Sequence, residues 1–237
     1  MSYDDLRGWL EETDKIGELK RIGGAHWDRE MGAISELMAE RANPALLFDK
    51  ITGYPQGYRV LSNAFLTCNR TASVLGVKQE LSPIEMVDAW RKRLKNVKPI
   101  LPVGVKTGPV KQNVLTGQDV DLLKFPAPIW HEQDGGRYLG TGCAVITKDP
   151  DEGWVNLGTY RCMIFDRNLL SIGVNPGKHG TAMIEKYHSR GQSVPIAVVC
   201  GMDPVLFLGE RPKRLHGRRE KALLADDLSR PGSPYLA

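Results

Sequence analysis

Residues 156–179 gather side chains that chemistry can use. Asn156-Leu-Gly-Thr-Tyr-Arg161 places an amide close to a guanidinium, and Pro176-Gly-Lys-His179 places an ammonium and an imidazole after a glycine. A planar guanidinium such as that of Arg161 can grip a carboxylate through two parallel hydrogen bonds and hold an acid in one orientation. At Lys178 a glycine-flanked backbone can approach a phosphate that the ammonium neutralises. An Asn carbonyl and an imidazole are donors that a metal ion could use. Each also has a plainer reading. An Asn beside a strand glycine satisfies a turn or bulge, a His in a glycine-flanked loop opens a helix, and a lone Arg sits at a surface or interface.

The elements that must position these residues are legible in the pattern of apolar side chains. Leu6, Trp9 and Leu10 recur at helical spacing after Ser2, with Gly17 as the stop. A second helix is expected from Glu30 to Ala42, ending before Asn43-Pro44, and Ala45–Phe48 reads as a buried strand. Ser82-Pro-Ile-Glu85 is a capping box with proline at the first helical position. Residues 1–115 therefore read as an α/β unit. Beyond them lie β-rich runs at 142–147, 154–165 and 169–174, with Asp166–Asn168 as a hairpin connection, one helix over 181–190, and a strand at 195–200. Closing so many antiparallel strands calls for a β-barrel or a strongly curved sheet.

Composition narrows the function classes. The apolar runs are far shorter than the roughly 20 residues of a membrane span, and the first residues lack a basic start followed by an apolar stretch. A soluble, cytoplasmic protein is expected. Cys68, Cys143, Cys162 and Cys200 show no C-x-x-C spacing and read as free thiols. The net charge of +4 is confined to residues 211–237, which hold seven Lys/Arg and three Asp/Glu; residues 1–210 balance at 25 against 25. Nucleic-acid binding needs a basic face on the folded body, and only the tail qualifies. His26, His131, His188 and His216 form no ligand-spaced set.

Pro126-Ala-Pro-Ile-Trp-His-Glu-Gln-Asp-Gly-Gly-Arg-Tyr-Leu-Gly-Thr141, followed by the segments ending in Arg161 and His179, resembles the UbiD family of decarboxylases in order and spacing over residues 1–209. The resemblance implies an α/β amino-terminal domain over 1–115 and a split β-barrel flavin-binding domain over 116–209. It implies prenylated FMN as cofactor, with Mn2+ (or Mg2+) and K+, and a flavin prenyltransferase as cofactor supplier. Asn156 and His179 match metal ligands of the family. Thr141, Thr159, Tyr160, Arg161, Lys178 and His179 match positions at the flavin or its phosphate, and Arg161 matches the catalytic arginine. An amide oxygen, an imidazole and a carboxylate make a hard donor set with room for phosphate oxygens. The implied reaction is reversible, non-oxidative decarboxylation of a hydroxybenzoate-type aromatic or α,β-unsaturated acid.

Family members run to about twice this length, and their catalytic glutamates and homo-oligomerisation domain are expected beyond residue 237. After Asp203-Pro-Val-Leu-Phe-Leu-Gly209 the family pattern gives way to Glu210-Arg-Pro-Lys-Arg-Leu-His-Gly-Arg-Arg-Glu220. Ungapped counting puts Glu220 near the third metal ligand. Residues 210–237 are expected to be a divergent basic tail, foreign to the fold, from an out-of-frame or replaced end. The alternative function is a non-catalytic flavin- or phosphate-binding module, or a subunit whose partner supplies the missing glutamates.

Overall fold

A computed structural model describes residues 3–41, 43–95 and 104–209; Ser2, Ala42 and the tail from 210, Glu220 included, lie outside the described residues. The first helix, α1 (Leu6–Lys15), begins where Asp5 stands extended and its Oδ1 accepts the Gly8 N–H at 2.9 Å. Asp5 therefore supplies the cap, because a carboxylate before the helix satisfies an otherwise orphaned N–H. Trp9, Leu10 and Thr13 form its buried face.

Strand β1 (Leu19–Gly23), helix α2 (Glu30–Arg41) and strand β2 (Ala45–Asp49) make a parallel β-α-β unit, with β3 (Val60–Ser62) antiparallel on the far side of β2. Residues 45–48 are buried throughout, as a central strand covered on both faces requires. Helix α3 (Cys68–Leu75), capped by Thr67, packs Ala72, Val74 and Leu75 inward. Helix α4 (Pro83–Leu94) opens with the expected capping box, Ser82 and Glu85 exchanging bonds, yet buries none of its residues. Arg70 is 1% exposed and bonds Glu18 at 2.9 Å and the carbonyls of Asn43, Asn63 and Ala64. One guanidinium thus satisfies backbone that the turns around β2 and β3 leave unpaired.

The second half contains β4 (Arg137–Gly140), β5 (Ala144–Lys148), β6 (Val155–Gly158), β7 (Arg161–Asp166), β8 (Leu169–Gly173), α5 (His179–His188), β9 (Ile196–Val199) and α6 (Pro204–Gly209). Among the described residues these strands form two open three-stranded sheets, ordered β4-β7-β8 and β6-β5-β9, and no closed barrel. The run 154–165, read as a single apolar stretch, divides: β6 pairs with β5, and β7 pairs with β4 and β8. The chain leaves one sheet for the other at Thr159-Tyr160. The hairpin β7–β8 forms as expected, and α5 starts two residues earlier than Thr181.

Both halves share contacts. Arg137 of β4 lies 4.3 Å above the Trp27 ring, hydrogen-bonds the Tyr54 hydroxyl, and donates to the carbonyls of Phe125 and Ala127 at 2.8 and 2.9 Å. Val205 and Leu208 of α6 return to the first half and join Trp9, Leu10, Leu19, Leu47 and Val74 in one core. Each large apolar side chain buried there contributes roughly 1.5–3 kcal/mol. Among the described residues no helix is long and apolar enough to cross a membrane.

Candidate functional site

The chain passes between the two sheets of the second half three times, at 141–143 from β4 to β5, at 159–160 from β6 to β7, and through α5 from β8 to β9. Thr141 lies in the first passage; Thr159 and Tyr160 make up the second, and Arg161 is the first residue of β7. The first two passages touch: Cys143 Sγ lies 3.5 Å from the Tyr160 carbonyl oxygen and 3.7 Å from Cys162 Sγ. Four of the expected cofactor residues therefore collect at one seam. Thr141 and Arg161 are exposed there, and Thr159 and Tyr160 are half-buried.

Tyr160 ties this seam to α5. A Cβ built on Gly158 would fall 2.7 Å from the tyrosine ring, and one on Gly180 would fall 2.8 Å from its hydroxyl. Only glycine at both positions lets the ring lie between β6 and the first turn of α5. That first turn holds the other expected residues, Lys178 as N-cap and His179 as the first helical residue. Gly177, at φ +77°, turns the chain into the helix.

This helix start runs against ordinary preference. N-caps favour Ser, Thr, Asp or Asn, and acidic residues favour the first turn. Here the cap is a lysine, which has no acceptor; α5 has no side-chain cap hydrogen bond and no acidic residue in its first turn. Positive charge beside helical N–H groups is a configuration that an anion relieves.

Asn156 is 2% exposed on β6, opposite Thr147 of β5, and its Nδ2 donates to Thr147 Oγ1 at 3.3 Å. With the amide nitrogen engaged there, the carbonyl oxygen is the end suited to a cation. Thr147 Oγ1 also lies 3.2 Å from Met183 Sδ, one turn along α5 from His179. The His179 ring meets Trp154, two residues before Asn156, edge-on at 4.9 Å between centroids. Asn156 and His179 are thus connected through Thr147, Met183 and Trp154. Among the described residues no three of His, Cys, Asp and Glu gather as a metal cluster. An amide oxygen and an imidazole are donors that a hard divalent ion could accept, with oxygen donors from elsewhere completing its shell. The sequence reading passed over Trp154 and the ion pairs below α5. The signal for the latter was the helical spacing of Met183, Lys186 and Arg190 from His179, opposite Asp149-Pro-Asp151.

Asp149, between β5 and β6, accepts from Lys186 Nζ at 2.6 Å and from the N–H groups of Glu152 and Asp151. The Lys186 ammonium, followed by those N–H groups, holds its carboxyl down at about 2.

Two family descriptions match the chain. Residues 10–90 match the 3-octaprenyl-4-hydroxybenzoate carboxy-lyase N-terminal domain, and residues 102–210 match the Rift-related domain of the same carboxy-lyase. The chain is 35% identical to the pyrrole-2-carboxylic acid decarboxylase of Pseudomonas aeruginosa over 84% of its own length and 42% of the relative's. It superimposes with a TM-score of 0.85 and 27% identity on the vanillic acid decarboxylase of Sedimentibacter hydroxybenzoicus in closed form, covering 99% of this chain and 50% of that one. HmfF from Pelotomaculum thermopropionicum, a UbiD-class enzyme in complex with FMN, matches at a TM-score of 0.81 and 26% identity, covering 96% and 49%. An evolved dimeric form of HmfF in complex with prFMN matches at 0.80 and 26%, covering 97% and 52%. The chain spans about half the length of these relatives.

Proposed function

The chain belongs to the UbiD family, as the amino-terminal portion of a UbiD decarboxylase, and on that premise we propose that it takes part in reversible, non-oxidative decarboxylation of an aromatic carboxylic acid at the seam between its two β-sheets. The observation that carries this reading is the convergence of the first two sheet passages and the unfavourably charged start of α5 on one place. Hydroxybenzoate-type acids are the preferred substrate class, with α,β-unsaturated acids next. The two open sheets would be the halves of a split barrel over residues 116–209, resting on the α/β unit of 1–115.

In this reading Lys178 and the first turn of α5 would hold the flavin phosphate, and Thr141, Thr159 and Tyr160 would line the flavin. Asn156 and His179 would hold Mn2+ or Mg2+, with Glu220 as a candidate third ligand and K+ as an accompanying ion. Prenylated FMN, when bound, supplies an electron sink for the pair released as the bond to the carboxylate breaks. Arg161, at the exposed start of β7, grips the substrate carboxylate bidentately and keeps it oriented. Its extended alignment against Gly173 of β8 leaves the guanidinium stem without a bulky cross-strand neighbour.

The test is co-expression with a flavin prenyltransferase, followed by absorbance and metal analysis of wild type, His179→Ala and Arg161→Ala. Flavin with one metal ion per chain, the metal lost in His179→Ala and retained in Arg161→Ala, supports the reading. A colourless, metal-free wild type would overturn it. Turnover that appears only when a carboxy-terminal fragment of a full-length relative is added would instead favour the alternative, a cofactor-binding subunit completed by a partner.

A further inference from the structure

We infer that one face of α5 and the hairpin β5–β6 form a ladder of contacts whose role is to set the position of His179 relative to Asn156; this rests on the reading of those two residues as metal ligands. The ladder has four rungs. His179 meets Trp154 at 4.9 Å between ring centroids, Met183 meets Thr147 at 3.2 Å, Lys186 meets Asp149 at 2.6 Å, and Arg190 meets both oxygens of Asp151 at 2.6 and 2.8 Å. On the helix side the rungs fall at spacings of four, three and four residues, which is one helical face. On the sheet side they come from the end of β5, the turn after it and the approach to β6, the strand that carries Asn156.

The need for such a device follows from magnitudes. A slip of one residue along a helix moves a side chain by about 1.5 Å and turns it by about 100°, whereas metal–ligand distances tolerate only about 0.2 Å. The start of α5 lacks a side-chain cap, and its first turn is restrained by Tyr160 packed on Gly180 and by the Thr181 hydroxyl donating to the Asn175 carbonyl at 2.6 Å. A second restraint comes from further along. Met183 is 1% exposed and the Asp149 carboxylate 7% exposed, so one middle rung is packed and the next is an ion pair with a shielded carboxylate. Because Thr147 takes part in the Met183 rung and also accepts from Asn156, a shift of α5 is transmitted to the other ligand as well. Trp154, Asp149 and Lys186 are on this account positioning residues, acting through His179.

The experiment uses the full chain and two readouts. The first is the imidazole proton resonance of His179, assigned by its disappearance in His179→Ala and displaced by the Trp154 ring current. The second is titration with Mn2+, followed by loss of the free-ion paramagnetic signal. Lys186→Met and Asp149→Asn are expected to move the His179 resonance and weaken Mn2+ binding by about tenfold, the effect usual for partners behind a metal ligand. Lys186→Arg, which keeps the charge, stays near wild type. Glu18→Gln, which loosens the Arg70 pair in the other half of the molecule, lowers thermal stability while leaving both readouts unchanged. A His179 resonance indifferent to Lys186→Met and Asp149→Asn would overturn the ladder whatever Mn2+ does. A resonance that moves while wild type takes up no Mn2+ would show that the ligand reading is at fault, and the positioning role would fall with it.

Discussion

At Gly180 a single hydrogen atom decides whether Tyr160 can lie across the start of α5. A methyl group there would stand 2.8 Å from the tyrosine hydroxyl, well inside van der Waals contact. Gly180→Ala is therefore expected to displace the ring and cost about 1–3 kcal/mol in chemical denaturation, the usual range for overpacking a filled site. Gly180→Ala combined with Tyr160→Phe, which removes the clashing oxygen, should recover part of that loss. Individual residues were legible where their chemistry is local. The Ser82–Glu85 capping box needs only four neighbouring residues and was readable. The roles of Trp154 and Asp149 depend on a helix some thirty residues further along, and no local pattern announces them.

At the scale of elements, the hold of α5 on the β5–β6 hairpin should depend on pH through Asp149. Its carboxyl titrates at about 2 in the folded protein, below the ordinary value of 3.8. A depressed folded value adds stability that is fully present above the unfolded value and disappears as pH falls through the folded one. The difference in stability between wild type and Asp149→Asn should accordingly be constant above about pH 5 and shrink between about pH 4 and 2. A gap that stays constant down to pH 2 would show that the Lys186 pair contributes nothing to folding. Periodicity found most elements but not their partners. The 154–165 run is apolar enough for one strand, and only the packing of Tyr160 on Gly158 explains why it bends into a second sheet. Helix α3 escaped the reading although Thr67 and Gly76 bracket it with a cap at each end, because eight residues give periodicity little to work with.

Across the whole molecule, Arg137 is a main link between the two halves. Its guanidinium sits over Trp27, reaches Tyr54, and satisfies two backbone carbonyls of the approach to β4. Arg137→Met preserves the length of the side chain but leaves those carbonyls without their donor and removes the cation from the ring. Roughly 2 kcal/mol of stability should be lost, and calorimetry should show a broader unfolding transition than that of wild type as the halves uncouple. An unchanged, sharp transition would assign the coupling to the other contacts between the halves, among them α6 and the Asp28–Ile129 bridge. The α/β character of the first half and the β-rich second half were both legible. Their mutual packing was not, because it is made by residues far apart in the chain.

The return of α6 to the first core also has a meaning for synthesis of the chain. Trp9, Leu10, Leu19 and Leu47 leave the ribosome long before Val205 and Leu208, which complete their packing. Until residues 204–208 emerge, the nascent first half presents an unfilled apolar hollow, a surface of the kind holdase chaperones bind. Translation pauses or premature release ahead of α6 would leave that hollow open, so the yield of folded protein should be governed by how quickly the six-residue helix α6 follows β9 out of the exit tunnel.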